Sequence, residues 1–276
     1  MKKTLLASAL AASALFAAGN AAAAPFIINT ALNGISSGFD SLITAAGSTV
    51  VTAQVVLNQS VYNYIDKDGN PATVSVTRPI SGAAANPNRA GYGSGIGAVS
   101  GALWDIGPSS AALGGTPPIP GFNNSGLTFT FSSPVNAFGF EVGDWATCCY
   151  SGTRPANVQS AYGVPATGSG LWIAFDGGAA TLPANALNSS ANPGVAAYGQ
   201  FTNFIGAIDS SSFFSSVTFF GDGFGEVLYA GGTLRFASVP QGSIDDGGVT
   251  VPEPASLALL GIGLMGLGAM RRRKSA

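Results

Sequence analysis

Leu127-Thr128-Phe129-Thr130-Phe131-Ser132 puts three large apolar side chains on one side of an extended chain and three hydroxyls on the other. Successive side chains of a strand point to opposite faces, so this period of two assigns the stretch to a half-buried β-strand. The run 135–142 repeats the pattern, with Phe138, Phe140 and Val142 facing one way. On that alternation Glu141 points away from the apolar face and is expected to meet solvent.

Working outward, the same signature recurs. Strands are expected at 48–57, 60–65 and 72–78, the last two joined as a hairpin through Asp66-Lys67-Asp68-Gly69-Asn70-Pro71. Further strands are expected at 171–176, 200–208, 213–221, 226–230 and 233–238, with one short helix at 33–46. Residues 82–120 are rich in Gly, Pro and Ala and read as a long loop. About ten short strands without sustained helical periodicity predict an all-β fold, an antiparallel β-sandwich of jelly-roll, lectin-like type spanning 24–240. A barrel or β-solenoid is the alternative, and no fixed repeat supports the solenoid.

The ends of the chain are different in kind. Residues 1–23 have the layout of a secretory signal peptide: Lys2-Lys3, an apolar run from Leu5 to Ala18, then Ala21-Ala22-Ala23-Ala24 with overlapping Ala-x-Ala sites. Residues 241–250, with Gly, Ser and two Asp, read as a flexible linker. Beyond it Val251-Pro252-Glu253-Pro254 precedes 16 uncharged, proline-free residues from Ala255 to Met270, then Arg271-Arg272-Arg273-Lys274. As a helix that run covers about 24 Å, a little less than the ~30 Å hydrocarbon core. The basic cluster then stays on the cytoplasmic side and the body lies outside. The prolines keep Pro252-Glu253-Pro254 extended and out of the helix, in a form that a processing enzyme can read.

This order of parts resembles the PEP-CTERM sorting signal. The resemblance covers 251–276, about a tenth of the chain. It implies export in a Gram-negative bacterium, transient anchoring in the membrane, and processing at the Pro-Glu-Pro tripeptide by an exosortase, a membrane cysteine transpeptidase. Association with exopolysaccharide at the cell surface or in a biofilm is the setting it implies. Gly261-Ile262-Gly263-Leu264-Met265-Gly266 matches the dinucleotide-binding glycine pattern, but no strand precedes it and no acidic residue follows, so the glycines belong to the membrane helix.

Charge and composition narrow the function further. Six of the 11 basic residues but only one of the 13 acids lie in the terminal segments, leaving five against twelve and a body near −7. Such a body is unsuited to nucleic acid. The chain has no histidine, which removes Ser-His-Asp and Cys-His catalysis and histidine-ligated zinc.

Few motifs remain. Cys148 and Cys149 are adjacent and can form a strained vicinal disulfide in an oxidising compartment, with free thiols or intermolecular bridges as alternatives. Trp145 and Tyr150 flank them with surfaces able to stack on sugar. Asp222 and Glu226 are a calcium candidate between sandwich loops. Asp66-x-Asp68-x-Asn70 opens like a calcium loop, but Pro71 stands where glycine is needed, so a polar hairpin turn is expected. Glu141 and Asp144 could be posed as a glycosidase pair, although one sequence does not fix their separation. The expectation is a non-enzymatic exported surface protein without a required cofactor; the alternative is a carbohydrate-binding module acting on exopolysaccharide.

Overall fold

The computed structural model describes residues 25–79, 81–89, 101–106, 126–144, 154, 156–178, 180–187, 203–221 and 228–244. In chain order the strands are β1 Phe26–Ala31, β2 Val51–Gln54, β3 Val61–Ile65, β4 Pro71–Thr77, β5 Leu103–Ile106 and β6 Gly126–Val135. They continue with β7 Ala137–Asp144, β8 Ser169–Phe175, β9 Thr181–Ala186, β10 Asn203–Ile208, β11 Phe214–Gly221 and β12 Leu228–Ala237. Two antiparallel six-stranded sheets result. One has the order β1-β10-β7-β12-β2 with β5 also on β12, and the other β3-β4-β6-β11-β8-β9.

The sheets pack face to face through the residues that the period of two marks as apolar. Leu127, Phe129 and Phe131 of β6 meet Phe138, Phe140 and Val142 of β7 in one buried cluster. Phe129 is the hub, with ring centroids of Phe138 at 4.7 Å, Phe140 at 5.5 Å, Trp104 at 5.8 Å and Phe219 at 6.3 Å. Offset and edge-to-face rings at these distances add to the apolar burial that drives the sheets together.

Both outer faces are also covered in part. A 3-10 turn at Leu32–Gly34, a π-helical turn at Ser36–Asp40 and α1 at Ser41–Ala45 realise the helix expected at 33–46. They bury Ile35, Phe39 and Ile43 against Ala137, Phe204 and Ile208. Gly206 of β10 makes room for that layer: a Cβ there would lie 2.8 Å from Phe204 and 2.9 Å from Phe39. On the other sheet, Tyr162 of α2, Ala156–Tyr162, packs on Trp172, which stacks on Phe220.

The structure departs from the sequence reading at several points. Glu141 is buried, not solvent-facing. It lies opposite Gly231 of β12, and a Cβ on the adjacent Gly232 would collide with its carboxylate. The expected strands 226–230 and 233–238 are one strand, β12, with an irregularity at Gly231 and Gly232, whose φ values are 146° and 64°. The long loop expected at 82–120 contains β5, and Trp104 there is fully buried with its indole N–H donating to Ala85 O. β1, β9 and α2 carry no strong periodicity and were not expected.

The hairpin at 66–70 is as expected. Asp66 Oδ1 accepts the backbone N–H groups of Asp68 and Asn70, and its Oδ2 accepts from Ser133 Oγ. Residues 241–244, read as the start of a flexible linker, are instead held to the body. Gln241 Nε2 donates to Ser211 O, Gly242 N to Ser210 O, and Ser210 Oγ to Ile244 O.

Candidate functional site

Strand register gives the sandwich two chemically different ends. Gly126 pairs with Phe220, Leu171 with Gly221, Asn203 with Val142, Tyr229 with Asp144 and Leu228 with Ile106. Strand ends that flank 107–125, 145–153, 188–202 and 222–227 therefore converge on one end, the distal end. At the other, Phe26 pairs with Ile208 and Ala137 with Ala237, so both the entry at Pro25 and the exit at Ile244 are proximal.

Trp145, Cys148, Cys149 and Tyr150 lie in 145–153, and Asp222 and Glu226 in 222–227; all six fall outside the described residues. The strand ends that lead into these two segments are neighbours, since Asp144 and Tyr229 are register partners. The signal peptide, the Pro-Glu-Pro motif with Val251 to Pro254, and the basic cluster Arg271 to Lys274 likewise fall outside them.

Arg154, which no sequence motif marks, anchors the chain just after 145–153. Its buried guanidinium donates from Nη1 to Pro165 O at 2.9 Å and Thr167 O at 3.1 Å, and from Nη2 to Asn185 Oδ1 at 2.6 Å. Gln159 Nε2 donates in turn to Arg154 O at 2.7 Å. A planar, permanently charged fork suits this gathering of carbonyls from two segments, 165–167 and β9. It fixes the point at which the chain returns from the distal end.

Asn136 plays the matching part at the proximal end. Its side-chain amide donates to Val239 O at 2.9 Å and accepts from Val239 N at 2.7 Å, while its backbone carbonyl accepts from Asp209 N at 2.7 Å. The side chain thus extends the β ladder by one rung and locks the exit strand.

A shallow cavity of about 340 Å³ also lies at the proximal end, between Ser48, Tyr64, Asp66, Lys67, Phe236 and Ser238. Several of its polar groups are already engaged. Ser48 Oγ donates to Ser238 O, Tyr64 Oη to Ser133 O, and Lys67 pairs with Asp68 at 2.7 Å. The N–H of Asn70, above all, holds the Asp66 carboxyl below its ordinary range, so that group serves the turn.

Two further carboxylates of the described loops are consumed similarly. Asp209 accepts from the N–H and hydroxyl groups of Ser211 and Ser212, and Asp176 from the N–H groups of Ser215 and Ser216. Among the described residues no group of three or more His, Cys, Asp or Glu is placed to hold a metal ion. Trp104 and Trp172 are buried in cores, so neither is a surface platform. The Glu141 and Asp144 pairing does not stand as an open acid–base site, because Glu141 is buried beneath Gly232.

The fold is an all-β, two-sheet antiparallel domain. Residues 250–274 match the PEP-CTERM protein-sorting motif. The motif implies recognition by an exosortase, with export and sorting through the cell envelope. No curated protein and no solved structure matches the chain. Among the described residues no helix is long and apolar enough to cross a membrane; the apolar run 255–270 lies outside them.

Proposed function

We propose that this is a non-enzymatic protein of the cell surface or extracellular matrix of a Gram-negative bacterium, exported by its signal peptide and cut by an exosortase at Pro252-Glu253-Pro254. The apolar run 255–270 spans the inner membrane until that cut. The observation that carries the reading is the sorting motif at 250–274, six residues beyond a body whose exit strand is locked at Ile244. The consumed carboxylates of the turns and the absence of histidine from the sequence support a body without catalytic machinery.

The test is fractionation of cells making the full-length chain. The unsubstituted protein is expected in the outer fractions, and Glu253→Ala with Pro254→Ala is expected to stay in the inner membrane with its tail intact. Identical distributions would sink the proposal.

A second reading, a lectin-like module of jelly-roll type that binds exopolysaccharide, is favoured by one observation. The connections bearing Trp145, Tyr150, Asp222 and Glu226 leave from neighbouring strand ends at the distal end, away from the tail-bearing exit. Calcium bridging Asp222 and Glu226, and a bridged Cys148–Cys149 pair, belong to this reading. A glycan array with Trp145→Ala as control decides it. Sugar binding lost in the variant supports a lectin, and no binding to any matrix sugar leaves the structural role.

A further inference from the structure

Strand β3 is an edge strand, and its sequence is close to a palindrome: Val61-Tyr62-Asn63-Tyr64-Ile65. Its hydrogen-bonding parity is fixed by its two ends. Val76 N donates to Ser60 O at 2.8 Å and Asp66 N to Asn70 O at 2.9 Å, so even-numbered residues turn their backbone groups toward β4. Val61, Asn63 and Ile65 therefore turn theirs away from β4, to a side on which no described strand pairs with β3. Gln59 Nε2 donating to Val61 O at 2.7 Å occupies one of these outward carbonyls.

The strand lacks the usual protection of an edge. It contains no charge and no proline, whereas β9, the opposite edge of the same sheet, contains Pro183. On its outer face Val61 is 47% and Ile65 54% exposed, and Val56 and Leu57 in the preceding loop are exposed beside them. Four of the seven exposed large apolar residues of the described chain thus gather at one edge.

We propose that β3 pairs antiparallel with β3 of a second copy of this chain, about a twofold axis through Asn63. The palindrome selects a second copy as the occupant. Antiparallel pairing centred on Asn63 sets Val61 opposite Ile65 of the second copy on the outer face, and Tyr62 opposite its Tyr64 on the inner face. Asn63 exchanges both backbone hydrogen bonds with its equivalent. The hairpin charges raise no local repulsion, because Asp66, Lys67 and Asp68 fall opposite the neutral Ser60, Gln59 and Asn58. This is an isologous contact, which closes as a dimer and does not propagate. A five-residue ladder is small beside standard interfaces, so the contact is weak in free solution and gains from the high local concentration of chains held at one surface.

The experiment is cysteine cross-linking of the full-length chain in the cells that export it. Asn63→Cys places two sulfurs on residues about 5.5 Å apart at Cα, inside the disulfide range. Mild oxidation followed by peptide mass spectrometry is expected to give a peptide linked between the two cysteines at position 63, with Thr181→Cys on β9 and the unsubstituted chain as controls. Adding Val61→Lys and Ile65→Lys sets like charges opposite one another twice and should lower the yield about tenfold. Val61→Lys with Ile65→Glu sets opposite charges there and should restore it, which a general loss of folding would not. Three results would each overturn the proposal: no linked peptide, as much from Thr181→Cys, or adducts only with a different protein.

Discussion

Replacing Phe129 with alanine removes the ring on which the two sheets meet. Phe129 has no solvent exposure and has four ring neighbours within 6.3 Å, drawn from both sheets. Burial of a phenylalanine and the cavity left by its loss together cost about 3–5 kcal/mol. Ring pairs add about 0.5–1.5 kcal/mol each beyond their area, and relaxation recovers part of this, so the expected loss is about 4–5 kcal/mol. Against a typical total of about 5–15 kcal/mol this is a large share. For a body of this size it lowers Tm by about 8–20 °C. Urea unfolding of the purified protein, followed by tryptophan fluorescence, measures it. Phe26→Ala, at a residue 40% exposed on β1, is the control and should shift stability by about 0.5 kcal/mol or less. A loss below about 2 kcal/mol for Phe129→Ala would refute the placement of this ring at the centre of the inter-sheet core.

Two further outcomes test the ends of the core. Asn136→Ala strands the N–H and C=O of Val239 and is expected to cost about 2–4 kcal/mol, with hydrogen exchange rising at Val239 before the central strands. Tyr62 is buried, and burial pushes its phenol up to about 12. Its stabilising effect is therefore complete below pH 10 and is lost as pH rises toward 12, by about 3 kcal/mol in all. Tyr62→Phe should flatten that part of the stability profile, and an unchanged alkaline profile would contradict the burial.

The inter-sheet core was legible because its signal is local. Phe129, Phe131, Phe138 and Phe140 lie on the apolar side of a period of two, and that side is the one the other sheet covers. Glu141, Trp172 and Phe220 were not legible, because helical segments and a glycine irregularity cover faces that alternation assigns to solvent. Gly231-Gly232 looks like a turn in sequence but lies within one continuous strand. Trp104 was hidden in a Gly/Pro-rich stretch, since only its distant partners Ala85 and Phe129 make it core. Arg154 and Asn136 act through carbonyls brought together by the fold, so no spacing rule announces them. The sorting motif is the opposite case: its match at 250–274 rests on consecutive residues alone, so it needs no fold to be read.

Mass spectrometry of the mature carboxyl terminus, on protein isolated from a host with its own exosortase, tests the central claim. A terminus at or beside Pro252-Glu253-Pro254, with the apolar run and Arg271-Arg272-Arg273-Lys274 gone, is the predicted result. A mature chain still ending in Lys274-Ser275-Ala276 would contradict it.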